Sequence, residues 1–166
     1  MKRSNTGVLF LSRAALIAAL YAALTYATIP ISSGVIQFRI SEALCILPLF
    51  FPEAIPGLFI GCALANLFPA FSLPDMIFGS LATLIGAVGA YLLRRLPHKL
   101  RWLAPLPTIL SNALIEPLVL RYAYGAPDGY WFMFMTVGIG EVVCAGFGGA
   151  TLYYLLSGLP IFKNSL

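Results

Sequence analysis

The chain has 166 residues, 60% of them hydrophobic and only 10% charged, with a formal net charge of +4 and a mean hydropathy of +0.93. Apolar runs recur from end to end, which leaves too little polar surface to face water, so a soluble domain is excluded and an integral membrane protein is expected. Cys45, Cys62 and Cys144 are odd in number, sit inside apolar segments and show no CxxC or His-paired spacing, so they read as packing residues. The single His98 lies in a basic loop, and a zinc site has nothing to build on.

The N-terminal stretch MKRSNTGVLFLSRAALIAALYAALTYATIPI imitates a secretory signal, with basic residues ahead of an apolar run. A signal core spans roughly 7 to 15 residues, whereas this run continues to about Ile31, so an uncleaved first helix is expected. Polar and proline punctuation divides the chain into six apolar segments, roughly 8–29, 35–51, 54–71, 75–93, 103–123 and 130–157. Each approaches the roughly 17 residues that a tilted span can use, so a six-transmembrane-helix bundle forming a single membrane domain over residues 1–166 is the economical reading. Between the second and third segments lies only FFPEAIPG, where Pro52 and Pro56 interrupt the helix; a tight hairpin or a re-entrant pair is expected there.

Cations set the orientation, because cytoplasmic ends retain Lys and Arg. With both termini cytoplasmic, Lys2, Arg3, Arg13, Arg94, Arg95, Lys99, Arg101 and Lys163 all fall inside, eight of the ten basic residues, and only Arg39 and Arg121 fall outside. The RRLPHKLR loop is then a topology signal, and nucleic-acid binding is a poor reading of so short a run between two spans.

On this topology, Gln37, Arg39 and Glu42 enter the second helix from the outside, Asn66 lies near the outer end of the third, and Asp75 opens the fourth. Asn112 and Glu116 lie on the fifth and Glu141 on the sixth. A charge deep in the bilayer costs about 2.5–3.5 kcal/mol on insertion scales, so such residues face the bundle interior, pair, or line a pathway. Local roles compete with a shared pocket. Arg39 and Glu42, three apart, can satisfy each other; Asp75 after Pro74 suits a helix N-terminus; Asn66 and Asn112 can be interhelical hydrogen-bond glue. Glu141 follows Gly138 and Gly140 with no basic residue within a turn, so its partner must come from elsewhere, a ligand being one candidate. Tyr130, Trp131 and Phe132 suit either an interfacial aromatic belt or a stacking surface for a planar ligand.

In the first helix, Ala15, Ala19, Ala23 and Ala27 recur at every fourth position, with Ala14, Ala18 and Ala22 offset by one. Small residues so spaced let another helix approach closely, whether inside the bundle or on a partner protein.

The stretches FRISEALCILPLFFPEAIPGLFIGCALANL, from Phe38 to Leu67, and DMIFGSLATLIGA, residues 75–87, together with the Gly140–Glu141 pair, resemble the QueT family. These are substrate-binding S-components of energy-coupling factor (ECF) transporters, associated with uptake of queuosine precursors. The resemblance implies an S-component-type bundle in a prokaryotic cell membrane, with a ligand pocket in the extracellular half. It also implies that the Ala15, Ala19 and Ala23 face docks on a transmembrane coupling subunit, while two ATPase subunits hydrolyse ATP; the chain carries no GxxxxGK phosphate loop and is expected to bind no cofactor of its own. For a 7-deazaguanine bearing an aminomethyl group, Glu42 and Glu141 can meet the guanine edge and the ammonium, Asn66 or Arg39 can donate to the carbonyl, and Trp131 or Tyr130 can stack on the ring.

Three rivals remain. An S-component for a different vitamin or nucleobase would share the bundle, but a carboxylate ligand needs a basic pocket, and the outer half holds Glu42, Asp75, Glu116, Asp128 and Glu141 against Arg39 and Arg121. A membrane-embedded enzyme would need an activated nucleophile or a metal, and His98 stands alone on the opposite side. A purely structural subunit predicts no saturable binding of any small solute.

Overall fold

The computed structural model describes residues 4–32, 37–67 and 73–160, and among these every regular element is helical. Lys2, Arg3 and Lys163 of the predicted cytoplasmic set lie outside the described residues, as do residues 35–36 and 68–71 of two predicted segments. The α-helices are α1 (Ser4–Ala27), α2 (Ile29–Ser32), α3 (Ala54–Leu67), α4 (Leu73–Leu93), α5 (Leu106–Tyr122), α6 (Tyr130–Glu141) and α7 (Gly149–Ser157). Two 3₁₀ segments, Ile40–Leu49 and His98–Leu103, and a π-helical stretch, Val142–Gly148, complete the set.

Among the described residues, four helical rods are long and apolar enough to cross a bilayer: Thr6–Ala27, Leu73–Leu93, His98–Tyr122 and Tyr130–Ser157, the last running unbroken through α6, the π stretch and α7. Large apolar side chains face outward along them, among them Leu11, Leu16 and Phe147, as a lipid environment requires. All six predicted segments are helical, but the second and third are shorter than the sequence suggested. The 3₁₀ segment has 10 residues and α3 has 14. At about 2.0 and 1.5 Å per residue these reach only about 20 Å each, below the roughly 30 Å of hydrocarbon. Between them the chain turns tightly, as Pro52 and Pro56 foretold, with Phe50 N–H and Phe51 N–H both bonding to the Leu47 carbonyl and Ala54 N–H to that of Phe51.

That turn is tied to α1 by an ion pair that charge counting missed: Arg13 Nη1 donates to Glu53 Oε1 at 2.8 Å, and the guanidinium lies 5.6 Å from the Phe51 ring centroid. Glu53 is buried while Arg13 remains largely exposed, so the residue counted as a topology signal also anchors a loop.

In order of packing, α1 lies on α3, α3 on α4, α4 on α5 and α5 on α6, and the 3₁₀ segment Ile40–Leu49 fills the middle, touching α1, α3, α4, the π stretch and α7. Ile46 and Leu49 are fully buried there. The two alanine rows of α1 separate cleanly: Ala14, Ala18 and Ala22 are buried, whereas Ala15, Ala19 and Ala23 are exposed. The buried row exists because α3 presents glycine to it. A Cβ on Gly61 would stand 2.8 Å from Tyr21 Cβ and 2.9 Å from the Ala18 carbonyl, and one on Gly57 would stand 2.8 Å from the Ala14 carbonyl. Backbone cannot yield as a side-chain tip can, so Gly61→Ala is expected to destabilise by about 1–3 kcal/mol. Thermal unfolding in detergent should show a lowered midpoint for Gly61→Ala and none for Gly7→Ala, whose Cβ meets nothing within 4 Å.

Candidate functional site

Helical periods gather the polar side chains. In the 3₁₀ segment three residues make a turn, with Glu42 N–H bonded to the Arg39 carbonyl at 3.0 Å, so Arg39, Glu42 and Cys45 stack in one row. On α5, Thr108, Asn112 and Glu116 recur at every fourth position, and on α4 Asp75, Gly79 and Thr83 do the same. Tyr21 and Thr25 arrive from α1, Cys62 and Asn66 from α3, and Glu141 is the last residue of α6, where the π stretch begins. π-helical turns are rare and frequent at functional sites.

The cluster has two parts. In the first, Arg39 Nη1 donates to Glu116 Oε1 at 3.1 Å, and its Nη2 lies 3.9 Å from Asp75 Oδ2. Tyr124 Oη donates to that Asp75 oxygen at 3.3 Å, and Asn66 Nδ2 donates to the Asp75 carbonyl at 3.2 Å. Gly79 keeps this space open, since a Cβ there would come within 3.0 Å of Asn66 Nδ2 and 3.1 Å of Glu116 Oε1. Of the alternatives left open by spacing, Arg39 does not pair with Glu42: the guanidinium reaches across to α4 and α5, where two carboxylates compete for it. Asp75 does sit in the first turn of α4, and it also joins this network.

In the second part, Tyr21 Oη donates to Glu42 Oε1, Thr25 Oγ1 donates to Ser41 Oγ at 2.8 Å, and Asn112 Nδ2 donates to Glu141 Oε1 at 3.0 Å. Glu42 and Asn112 are 1% exposed, Glu116 2% and Glu141 4%. Glu42 Oε2, Glu141 Oε2 and Asn112 Oδ1 have no hydrogen-bond partner, and the same holds for Thr108 Oγ1 one turn along α5. Native interiors satisfy nearly all buried polar atoms, so the orphaned acceptors on Glu42, Asn112 and Glu141 call for donors, which ordered water or a ligand can supply.

Seven of the nine sequence-predicted residues thus converge: Arg39, Glu42, Asn66, Asp75, Asn112, Glu116 and Glu141. Gln37 arrives by its backbone, its carbonyl lying so close over Gly140 that no Cβ would fit. Trp131 stands apart. It is 73% exposed, packs edge-on against Tyr130 and Phe134, and precedes Glu141 by ten residues, about 15 Å of helix. Tyr21, Thr25 and Tyr124 were not foreseen; Tyr21 was legible as the buried row Ala14, Ala18 extended by three, a position where a hydroxyl needs a partner. His98 is exposed and its ring lies 5.8 Å from that of Tyr153, remote from the cluster. Three apolar grooves, of about 330, 350 and 570 Å³, open instead on the outer surfaces of α4 to α7, and their linings hold no carboxylate.

A multi-pass helical membrane protein with buried, unsatisfied carboxylates between its helices has the build of a membrane transport component. The sequence profile of the QueT transporter family matches residues 11–158, and the chain belongs to that family. Over 91 residues it is 38% identical to the queuosine precursor transporter QueT of Lactococcus lactis subsp. cremoris (strain MG1363); the match covers 53% of this chain and spans about half the length of that relative, also 53%. No solved structure matches the chain.

Removing Arg39 leaves Glu116 and Asp75 uncompensated, and breaking a buried pair from one side costs about 3–5 kcal/mol. Arg39→Met is therefore expected to lower the thermal midpoint strongly and Arg39→Met/Glu116→Gln to recover part of the loss, a coupling that a double-mutant cycle in detergent measures.

Proposed function

We propose that this chain is the substrate-binding S-component of an ECF-type importer and captures a queuosine precursor, 7-aminomethyl-7-deazaguanine or a related 7-deazaguanine base, between its helices. The observation that carries this reading is the set of orphaned acceptors on Glu42, Asn112 and Glu141, in a family whose Lactococcus relative is named a queuosine precursor transporter. A protonated aminomethyl group needs a carboxylate, and the N–H groups of the guanine edge need acceptors. Arg39 spends part of its five-donor fork on Glu116 and Asp75, and the remainder can donate to the base carbonyl. In the bilayer we place six helical segments, four of them full spans and the short pair Ile40–Leu49 and Ala54–Leu67 packed between them, with both termini cytoplasmic and the cluster in the extracellular half.

In this reading the chain binds no cofactor. ATP is hydrolysed by two partner ATPase subunits, and the exposed Ala15, Ala19 and Ala23 face of α1 docks on the transmembrane coupling subunit, while the buried Ala14 row is already spent on α3. The four carboxylates Glu42, Asp75, Glu116 and Glu141 share one guanidinium among the described residues of the cluster, which favours a cationic ligand over an anionic vitamin.

Calorimetric titration of the purified chain with 7-aminomethyl-7-deazaguanine should show saturable binding, weakened at least tenfold by Glu42→Gln and by Glu141→Gln. Unchanged affinity in the double variant would sink the assignment. Separately, Ala19→Leu should reduce copurification with the coupling subunit and leave ligand affinity as it was; if copurification is unaffected, the α1 face is not the docking surface.

A further inference from the structure

Four cations, Arg94, Arg95, Lys99 and Arg101, fall close together in sequence where α4 gives way to α5, and no Asp or Glu lies between Asp75 and Glu116 or beyond Glu141. Neither α4, α5 nor α7 brings a carboxylate side chain to this end of the bundle. Arg94 stacks on the Tyr91 ring, 3.9 Å from its centroid, and Arg101 Nε donates to the Leu96 carbonyl at 3.0 Å. The 3₁₀ turn His98–Leu103 then sorts the loop into rows, because with three residues per turn His98 stacks over Arg101 and Lys99 over Trp102. The first row faces the bundle: the His98 ring lies 5.8 Å from that of Tyr153, whose Oη donates to the His98 carbonyl at 3.3 Å. The second row looks outward, with Lys99 exposed and Trp102 half exposed.

Trp102 also lines the apolar groove of about 330 Å³ that runs between α5 and the π stretch. The two rods are antiparallel there, since a Cβ on Gly149 would meet Pro105 and one on Gly146 would meet Ile109. Leu106 and Ile109 form one wall, Val142 and Phe147 the other, and Gly146 contributes no side chain between them. Of the three grooves described, only this one reaches the basic loop. Lys99 therefore stands one 3₁₀ turn, about 6 Å, from the residue at the groove's mouth.

We propose that Lys99 and this groove form a binding site for one anionic phospholipid, with the phosphate at the Lys99 ammonium and an acyl chain lying between α5 and the π stretch. The charge and the shape select the same molecule. Basic pockets between membrane helices hold anionic headgroups, and tryptophan favours the level at which headgroup meets chain. A zwitterionic headgroup adds a cation that Arg94, Arg95 and Arg101 repel. The site is independent of what the central cluster binds.

Trp102 and Trp131 are the two tryptophans, so Trp131→Phe leaves Trp102 as a fluorescent reporter inside the proposed site. In dioleoylphosphatidylcholine vesicles, phosphatidylglycerol with brominated chains should quench Trp102 at a mole fraction at least fivefold lower than brominated phosphatidylcholine requires. Lys99→Glu should abolish that preference. Gly146→Leu should abolish it too by filling the groove, since a Cβ there stands 3.5 Å from Ile109 Cδ1, an ordinary contact; Ala150→Leu, on the same lining, is the second variant should the first fail to fold. Equal quenching by the two lipids would overturn the proposal, as would a preference that survives Lys99→Glu. A preference that survives the groove-filling variants would mean a headgroup held by the loop alone, and no quenching by either lipid would mean a face covered by protein; each discards the site.

Discussion

Glu42, Glu116 and Glu141 are almost completely withdrawn from solvent in a protein whose surroundings are hydrocarbon, and everything else in the molecule is arranged around that expense. One guanidinium, Arg39, serves Glu116 and Asp75 together. Glu42 and Glu141 receive only a phenol and an amide. This uneven compensation divides the cluster into a part whose charges are matched from within and a part that keeps acceptors in reserve. A buried carboxylate oxygen without a donor is destabilising, and such groups concentrate at functional sites.

Irregular helix is the means by which the acids meet. A regular α-helix over Ile40–Leu49 would turn Arg39, Glu42 and Cys45 progressively around the axis, whereas three residues per turn lines them up. Long 3₁₀ runs are uncommon because their hydrogen bonds are poorer, and Pro48, which lacks an N–H, sits in this one. The segment is tolerated because other helices pack around it and, apart from Ile40 at its start and the partly covered Ala43, its residues are buried. On the opposing helix the π stretch starts directly after Glu141, and Gly140 lets the backbone of Gln37 close over it.

The outer surface is built differently. α1 buries one alanine row against the glycines of α3 and leaves the next row bare, so a single helix carries an internal seam and a smooth external face. The proposed binding and docking surfaces are thereby separate in space but share α1, since Tyr21 lies on its buried side and Ala19 and Ala23 on its exposed one. The Arg13–Glu53 pair fastens the same helix to the turn that follows the 3₁₀ segment.

The sequence alone determined the membrane class, the helical segments and which acids were out of place, because hydropathy is additive along a chain and a charge in an apolar run is visible without coordinates. The stretches resembling the QueT family hold five of the seven polar positions that the structure gathers, Arg39, Glu42, Asn66, Asp75 and Glu141; Asn112 and Glu116 stood out only as polar residues in an apolar run. What the sequence left open was pairing: Arg39 is three residues from Glu42 and seventy-seven from Glu116, yet it bonds the distant one. Spacing rules describe neighbours on one helix and are silent about which helix stands opposite. For the same reason Trp131, which suited either an interfacial belt or a stacking surface, could be placed only by the structure, exposed some 15 Å along α6 from Glu141, while Tyr21, in a run of alanines, supplies the hydroxyl that holds Glu42. Local periodicity decided which side chains share a face; only the packing of helices around the central 3₁₀ segment decided which faces meet, because that depends on where glycine allows two backbones to approach.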